Sequence, residues 1–312
     1  MFKGAENGLL PSGERLNCLG YRGRAPSVLK GPDEFRIFVV GGSTVFAGET
    51  SIPDLLQKEF DKRGFNNVKV YNFGVVSSVS GQEISRILFE ISDFKPDLIV
   101  MYNGNNDIMQ PYYMDPRPGY PLNFIVYENN PVLSDVRSYP RLTLLLYGSN
   151  LLRHLFPNYF VRKLVPLRKL QREARHMSRE WKGDIIKTYV KNLAKAAKIS
   201  KAFGAEFIAF FQPTIYSKKY LSPGEEKRAR PDEKEYYKQM RQRTLAELRR
   251  LEEAEPITIV DLSDIYADIR DTVFSDPVHT YQESKTMVAE QIFQNIIIRC
   301  PIRKNEAKIG AI

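Results

Sequence analysis

Four short polar clusters carry the residue types needed to attack a carbonyl carbon, and they follow one another along the chain. They are Gly41-Gly42-Ser43-Thr44, Asn72-Phe73-Gly74, Gly104-Asn105-Asn106-Asp107 and Asp276-Pro277-Val278-His279. A serine hydroxyl is a weak nucleophile until a base takes its proton, and imidazole suits that task because it titrates near neutrality. A carboxylate on the far ring nitrogen fixes the tautomer and stabilises the imidazolium that forms. Ser43, His279 and Asp276 are the candidates for these three parts. Asp276 and His279 stand three residues apart just ahead of a helix, so one turn of chain can present both to the same place. Acyl chemistry also needs donors aimed at a developing oxyanion. The Ser43 N–H, the Gly74 N–H and the Asn106 side-chain amide are the candidates for that role.

Each cluster alone has a plain alternative, because Asn-x-Gly and Gly-Asn-Asn-Asp are ordinary turns and Asp-x-x-His recurs by chance. The Gly41-Gly42-Ser43 turn lacks the Gly-Lys-Ser/Thr of a P-loop and the spacing of a dinucleotide fingerprint. Nor is it a G-x-S-x-G elbow, since Val45 stands where the second glycine belongs. Their order, and the elements that precede them, make the stronger case.

Those elements are short β-branched runs alternating with helical periodicity. Strands are expected at Arg36–Val40, Val68–Tyr71, Asp97–Tyr102, Glu206–Phe211 and Ile257–Val260. Helices are expected at Ile52–Arg63 and Gln82–Ile91, along the face Ile185, Ile186, Tyr189, Leu193 and Ala197, at about Glu233–Glu253, and at about Gln282–Arg299. Such alternation predicts a parallel sheet covered on both faces. Five strands suit a flavodoxin-like three-layer α/β/α sandwich, in which sites form at the carboxyl ends of the strands. The clusters at Ser43, Gly74 and Asn106 each follow a predicted strand, so the fold would gather them on one edge. Residues 1–33, rich in turn formers, are expected to wrap the surface, and residues 34–300 to form the main domain, followed by a tail at 301–312. Residues 111–180 break the alternation and read as an inserted helical cap.

Composition sets wider bounds. The chain has 312 residues, 43% of them hydrophobic, and no run approaches the ~20 apolar residues of a membrane span. Met1-Phe2-Lys3-Gly4 lacks the apolar core of a signal peptide. The chain as written is expected to be cytoplasmic, or periplasmic or membrane-associated if a leader or anchor has been removed. Cys18 and Cys300 are the only cysteines, leaving open a single bridge between the ends. His154, His176 and His279 form no close ligand pair, so no metal is expected. The formal charge is +9, and much of the excess lies in Arg162–Arg179, which holds Arg162, Lys163, Arg168, Lys169, Arg172, Arg175 and Arg179. That run is either a solvated helix face or a contact for an anionic surface such as phospholipid or acidic glycan. Nucleic acid is not expected, because no recognisable binding module accompanies the charge.

The four clusters together resemble the SGNH hydrolases, also called the GDSL esterase/lipase superfamily, whose blocks supply serine, glycine, asparagine and histidine in this order. The resemblance covers about residues 34–107 and 205–299; Gly42 and Thr44 depart from the name-giving motif. It implies the flavodoxin-like sandwich, no metal or organic cofactor, Ser43 as nucleophile, His279 as base with Asp276 as its partner, and Gly74 and Asn106 at the oxyanion. The segment Asn17-x-x-Gly20-Tyr21-Arg22-Gly23 is similar to the entry segment of some bacterial SGNH proteins associated with surface polysaccharides. The expected activity is hydrolysis of an O-acyl ester, O-acetyl foremost, of a carbohydrate or lipid. Transfer of the acyl group to a sugar hydroxyl by the same site, or a non-catalytic module for anionic glycan or lipid, are the alternatives.

Overall fold

The computed structural model describes residues 8–10, 14–122, 124–128, 141–156, 159 and 167–302. Met1 to Gly4, Arg162, Lys163 and most of the expected tail lie outside the described residues.

Five strands form the sheet: β1 (Phe35–Gly41), β2 (Val68–Gly74), β3 (Leu98–Asn103), β4 (Glu206–Phe211) and β5 (Thr258–Asp261). Their order is β2-β1-β3-β4-β5, with every pairing parallel. This is the flavodoxin-like arrangement expected from the alternation of elements. The inner strands are apolar because both faces are covered; every residue of β3 is buried.

On one side, α2 (Ile52–Lys62) packs against β2 and against the final helix, α12 (Gln282–Arg299). A capping box starts α2: the Ser51 hydroxyl accepts from Asp54 N–H, while the Asp54 carboxylate accepts from Ser51 N–H. On the other side lie α3 (Ser80–Phe89), α9 (Arg179–Ala202) and α11 (Pro231–Ala254). The predicted faces hold: Ile185, Ile186, Tyr189 and Leu193 of α9 are buried, as are Tyr237, Met240, Thr244 and Leu248 of α11.

Two differences from expectation bear on function. β2 runs on through Asn72-Phe73-Gly74, so this cluster belongs to the strand and pairs Gly74 with Gly41. A four-residue helix, α1 (Ser43–Phe46), and a helix α4 (Asn105–Tyr113) begin directly at the serine and asparagine clusters.

The leading segment is irregular but tied down. Tyr21 is fully buried against Phe73, with ring centroids 4.2 Å apart. Arg36, also fully buried, donates to the carbonyls of Ser27, Leu29 and Phe94. Cys18 is exposed and Cys300 buried; both are free thiols, so the ends are not bridged.

The described part of the insertion is irregular over 114–122 and then carries the helices α5 (Phe124–Glu128), α6 (Arg141–Tyr147), α7 (Asn150–Leu155) and α8 (Leu167–Glu173). Its start is anchored, with Tyr112 stacked on Tyr236 and the Trp181 indole N–H donating to Pro116 O at 2.6 Å.

Candidate active site

Ser43 is the first residue of α1, where the chain leaves the carboxyl end of β1. Helix N-termini leave backbone donors unpaired, and the Ser43 N–H has no hydrogen-bond partner among the described residues. Gly42, just before it, has to be small: a Cβ there would meet Asn106 Nδ2 at 2.5 Å.

The loop before α12 brings the other two groups. Ser43 Oγ lies 2.7 Å from His279 Nε2, and His279 Nδ1 lies 2.6 Å from Asp276 Oδ2. With the ring proton on Nδ1, the imidazole donates to the carboxylate and accepts from the serine hydroxyl. The other oxygen, Asp276 Oδ1, accepts the backbone N–H groups of Val278 and His279, both at 2.8 Å. Partial burial pushes the Asp276 carboxyl up, but the hydrogen bonds from the His279 ring and from these two N–H groups outweigh it and hold the group at about 2. Asp276 is therefore ionised at neutral pH.

The loop is itself braced. Glu225, fully buried on the short helix α10 (Pro223–Glu226), accepts from the N–H groups of Val273 and Phe274 and pairs with the buried Lys218 ammonium at 2.7 Å. Ile215 N–H donates to Pro277 O at 2.9 Å, tying the turn to the chain after β4.

Asn106 stands on the first turn of α4 beside the serine. One of its amide hydrogens goes to Ser78 O at 2.8 Å, and the amide has a second hydrogen to offer. Asp107, next to it, accepts the Ser80 N–H at 3.1 Å and the Ser80 hydroxyl. Burial raises the Asp107 carboxyl to about 6, against the lowering effect of these hydrogen bonds. Neighbouring residues of α4 thus pin the Ser77–Ser80 turn against the serine turn.

Gly74 does not take its expected place. Its N–H donates to Asn72 Oδ1 at 2.9 Å within the buried sheet, so it is not available to an oxyanion. Its lack of a side chain has a packing reason, since a Cβ would meet Phe46 N at 2.8 Å and the Val45 side chain at 2.9 Å. Farther along, the turn tied to Asn106 through Ser78 O carries another backbone donor. Ser77 adopts a left-handed φ of 59°, and its N–H has no hydrogen-bond partner among the described residues. Nothing in the sequence marks Ser77, because glycine, asparagine or aspartate is the usual sign of that conformation.

Other contributors were also silent in the sequence. Arg86, fully buried, donates to Ser78 Oγ at 2.8 Å and to Gly41 O at 3.4 Å, bracing the turns on either side of the site. Two further buried cations hold the loop that leaves α1. Arg22 donates to Phe46 O at 3.1 Å, to Glu49 O at 2.8 Å and to Gly48 O. Lys285 of α12 donates to Ala47 O at 2.7 Å, completing four consecutive carbonyls. Burial and the nearby Arg22 both push the Lys285 ammonium down. Asn17 shapes the loop that aims Arg22: its side-chain oxygen accepts from Leu19 and Tyr21 N–H groups and its amide donates to Gly23 O. The Asn17–Gly23 motif noted in the sequence therefore supports the serine turn. No group of three or more His, Cys, Asp or Glu side chains among the described residues is placed to hold a metal ion.

The architecture and this site define an α/β/α sandwich with a Ser–His–Asp hydrogen-bonded chain at the carboxyl edge of its sheet. A GDSL-like lipase and an acetylxylan esterase share that fold. A GDSL-like lipase from Parabacteroides merdae matches with a TM-score of 0.51 at 14% identity, over 88% of this chain and 100% of that one. The acetylxylan esterase Axe2 from Geobacillus stearothermophilus matches with a TM-score of 0.51 at 12% identity, over 86% of this chain and 96% of that one. At such identities the likeness is one of fold, and it agrees with the fold implied by the four clusters. No family model matches the chain, and no curated protein matches it.

Proposed function

We propose that the protein is a serine esterase that hydrolyses an O-acyl ester, O-acetyl foremost, of a carbohydrate or lipid. The observation that carries this reading is the linear chain Asp276–His279–Ser43, with contacts of 2.6 and 2.7 Å, at the sheet edge where sites of such folds form.

In this reading Ser43 Oγ attacks the ester carbonyl carbon while its proton passes to His279 Nε2. The charge that develops on the carbonyl oxygen is met by the Ser43 N–H, the second hydrogen of the Asn106 amide and the Ser77 N–H, which replaces Gly74 in that part. Collapse of the adduct breaks the ester C–O bond, and the leaving alcohol takes the proton from His279. Water then attacks the acyl-enzyme, giving a proton to His279, and the acid leaves as Ser43 recovers its hydrogen. Asp276 stays ionised throughout and balances the transient imidazolium. An acetyl ester is supported by the fold likeness to an acetylxylan esterase, which bears on the scaffold rather than on the acyl pocket.

A fluorophosphonate probe tests the reading. Folded protein should be labelled at Ser43, and Ser43→Ala should not be labelled. An unlabelled Ser43 in folded protein overturns the enzyme reading and favours a binding module. Turnover of nitrophenyl acetate that rises only when a sugar acceptor is added would replace hydrolysis by transfer.

A further inference from the structure

The helices α6 and α7, joined through Gly148 and Ser149, pack on each other but contribute no residue to the hydrophobic core. Their apolar side chains face outward: Leu142 is 64% exposed, Leu145 76%, Leu151 65% and Leu155 55%. Phe156, at 56%, extends the same surface. Several large apolar side chains exposed on two helices that pack together mark an interaction site rather than the scattered exposure ordinary surfaces show. Among the described residues of 141–179, seven lysines and arginines stand against one acid, Glu173. Arg141, Arg168, Lys169 and Arg172 are exposed among the described ones.

We infer that this surface docks onto an anionic phospholipid bilayer, with the α6–α7 leucines entering the headgroup boundary and the neighbouring basic side chains meeting lipid phosphates. Two observations favour that occupant. A second copy of the chain would bring the same run of positive charge against itself about a two-fold axis, which opposes association. A bilayer offers an apolar layer beneath a negative surface, matching exposed leucines in a segment rich in arginine and lysine. Helices of seven and six residues, about 10 Å long, suit an orientation in the interface. No helix among the described residues is long and apolar enough to cross a membrane. The inserted segment re-enters the fold at the N-terminus of α9. That helix runs antiparallel to β4, so this end lies at the sheet edge that carries Ser43.

Co-sedimentation of the full chain with vesicles of phosphatidylcholine alone, and of phosphatidylcholine with phosphatidylglycerol, tests this. Binding to the anionic vesicles should be on the order of 100-fold tighter and should weaken as salt is added. The double variant Leu145→Glu, Leu151→Glu should bind those vesicles at least about tenfold more weakly, with an unchanged circular dichroism spectrum and fluorophosphonate labelling. No binding, equal binding to both vesicles, or binding that the double variant retains would each overturn the proposal. So would a dimer seen by light scattering without lipid and lost in the double variant, which would make a second copy the occupant. Labelling of Ser43 reads the reaction separately, so neither result decides the other.

Discussion

Helix α1 and the α6–α7 pair are both short helical pieces, of four residues against seven and six, yet they are held in opposite ways. Helices of this length are unstable on their own and persist only where tertiary contacts fix them. Around α1 those contacts are dense: Val45 lies in the core, Gly42 and Gly74 allow close approach, and Arg22 and Lys285 take the carbonyls that follow. The α6–α7 pair has a serine cap on α7 and the Arg153 guanidinium over Tyr147, but none of its leucines is buried. The proposed nucleophile needs one geometry held at all times, whereas the proposed docking surface must leave its apolar side chains uncovered until a partner arrives.

That contrast can be broken at several points, taken here from the largest expected effect to the smallest. Asn106→Ala should lower kcat by about 100-fold, the loss typical of one oxyanion donor, with the fold intact by circular dichroism. An unchanged kcat would remove Asn106 from the chemistry. Arg22→Met strips three carbonyls of their donor inside the protein and should cost about 2 kcal/mol in denaturant unfolding. The same variant should slow fluorophosphonate labelling of Ser43. A variant that is destabilised but labels at the wild-type rate would show that Arg22 supports the fold without positioning the serine.

A pH dependence should come from beneath the site. Burial pushes the Glu83 carboxyl up to about 8, from the ordinary 4.5, despite the lowering influence of Arg86 and of the Asn103 amide. The folded protein thus holds this proton more tightly than the unfolded chain does. Its contribution to stability is present below about pH 5 and is lost as pH rises through 8. Glu83→Gln should flatten the fall in Tm over that interval, a difference of roughly 1 kcal/mol or more. The smallest effect belongs to the other region: Leu145→Ser, at an exposed position, should change unfolding stability by less than about 0.5 kcal/mol. A loss of 2 kcal/mol there would mean that the leucine is covered within the monomer.

The alternation of short apolar runs with helical stripes was enough to predict the parallel sheet, because both periodicities are local. The residue types of Ser43, Asn106, Asp276 and His279 were legible as candidates, the first two at predicted strand ends and the other two in the loop ahead of the last helix. Gly74 was misread for a tertiary reason. Whether β2 stops before Asn72 or runs through Gly74 depends on pairing with Gly41, and that pairing leaves the Gly74 N–H to the Asn72 side chain. Ser77, Arg86 and Lys285 were invisible for a related reason: their roles arise from contacts with residues distant in sequence or, for Ser77, from a backbone angle its residue type does not announce.

Five strands with their main helices, the excess of positive charge in the insertion, and a serine, a histidine and an aspartate as candidates are all legible along the chain. Side-chain chemistry and local periodicity are written residue by residue, so they can be read without folding the chain. Folding was needed to bring His279 to Ser43 across 236 positions, to give the Gly74 N–H to the Asn72 side chain, and to clasp the turn after the serine with two cations from opposite ends of the chain. Those outcomes depend on which surfaces pack together, and packing is a property of the whole fold.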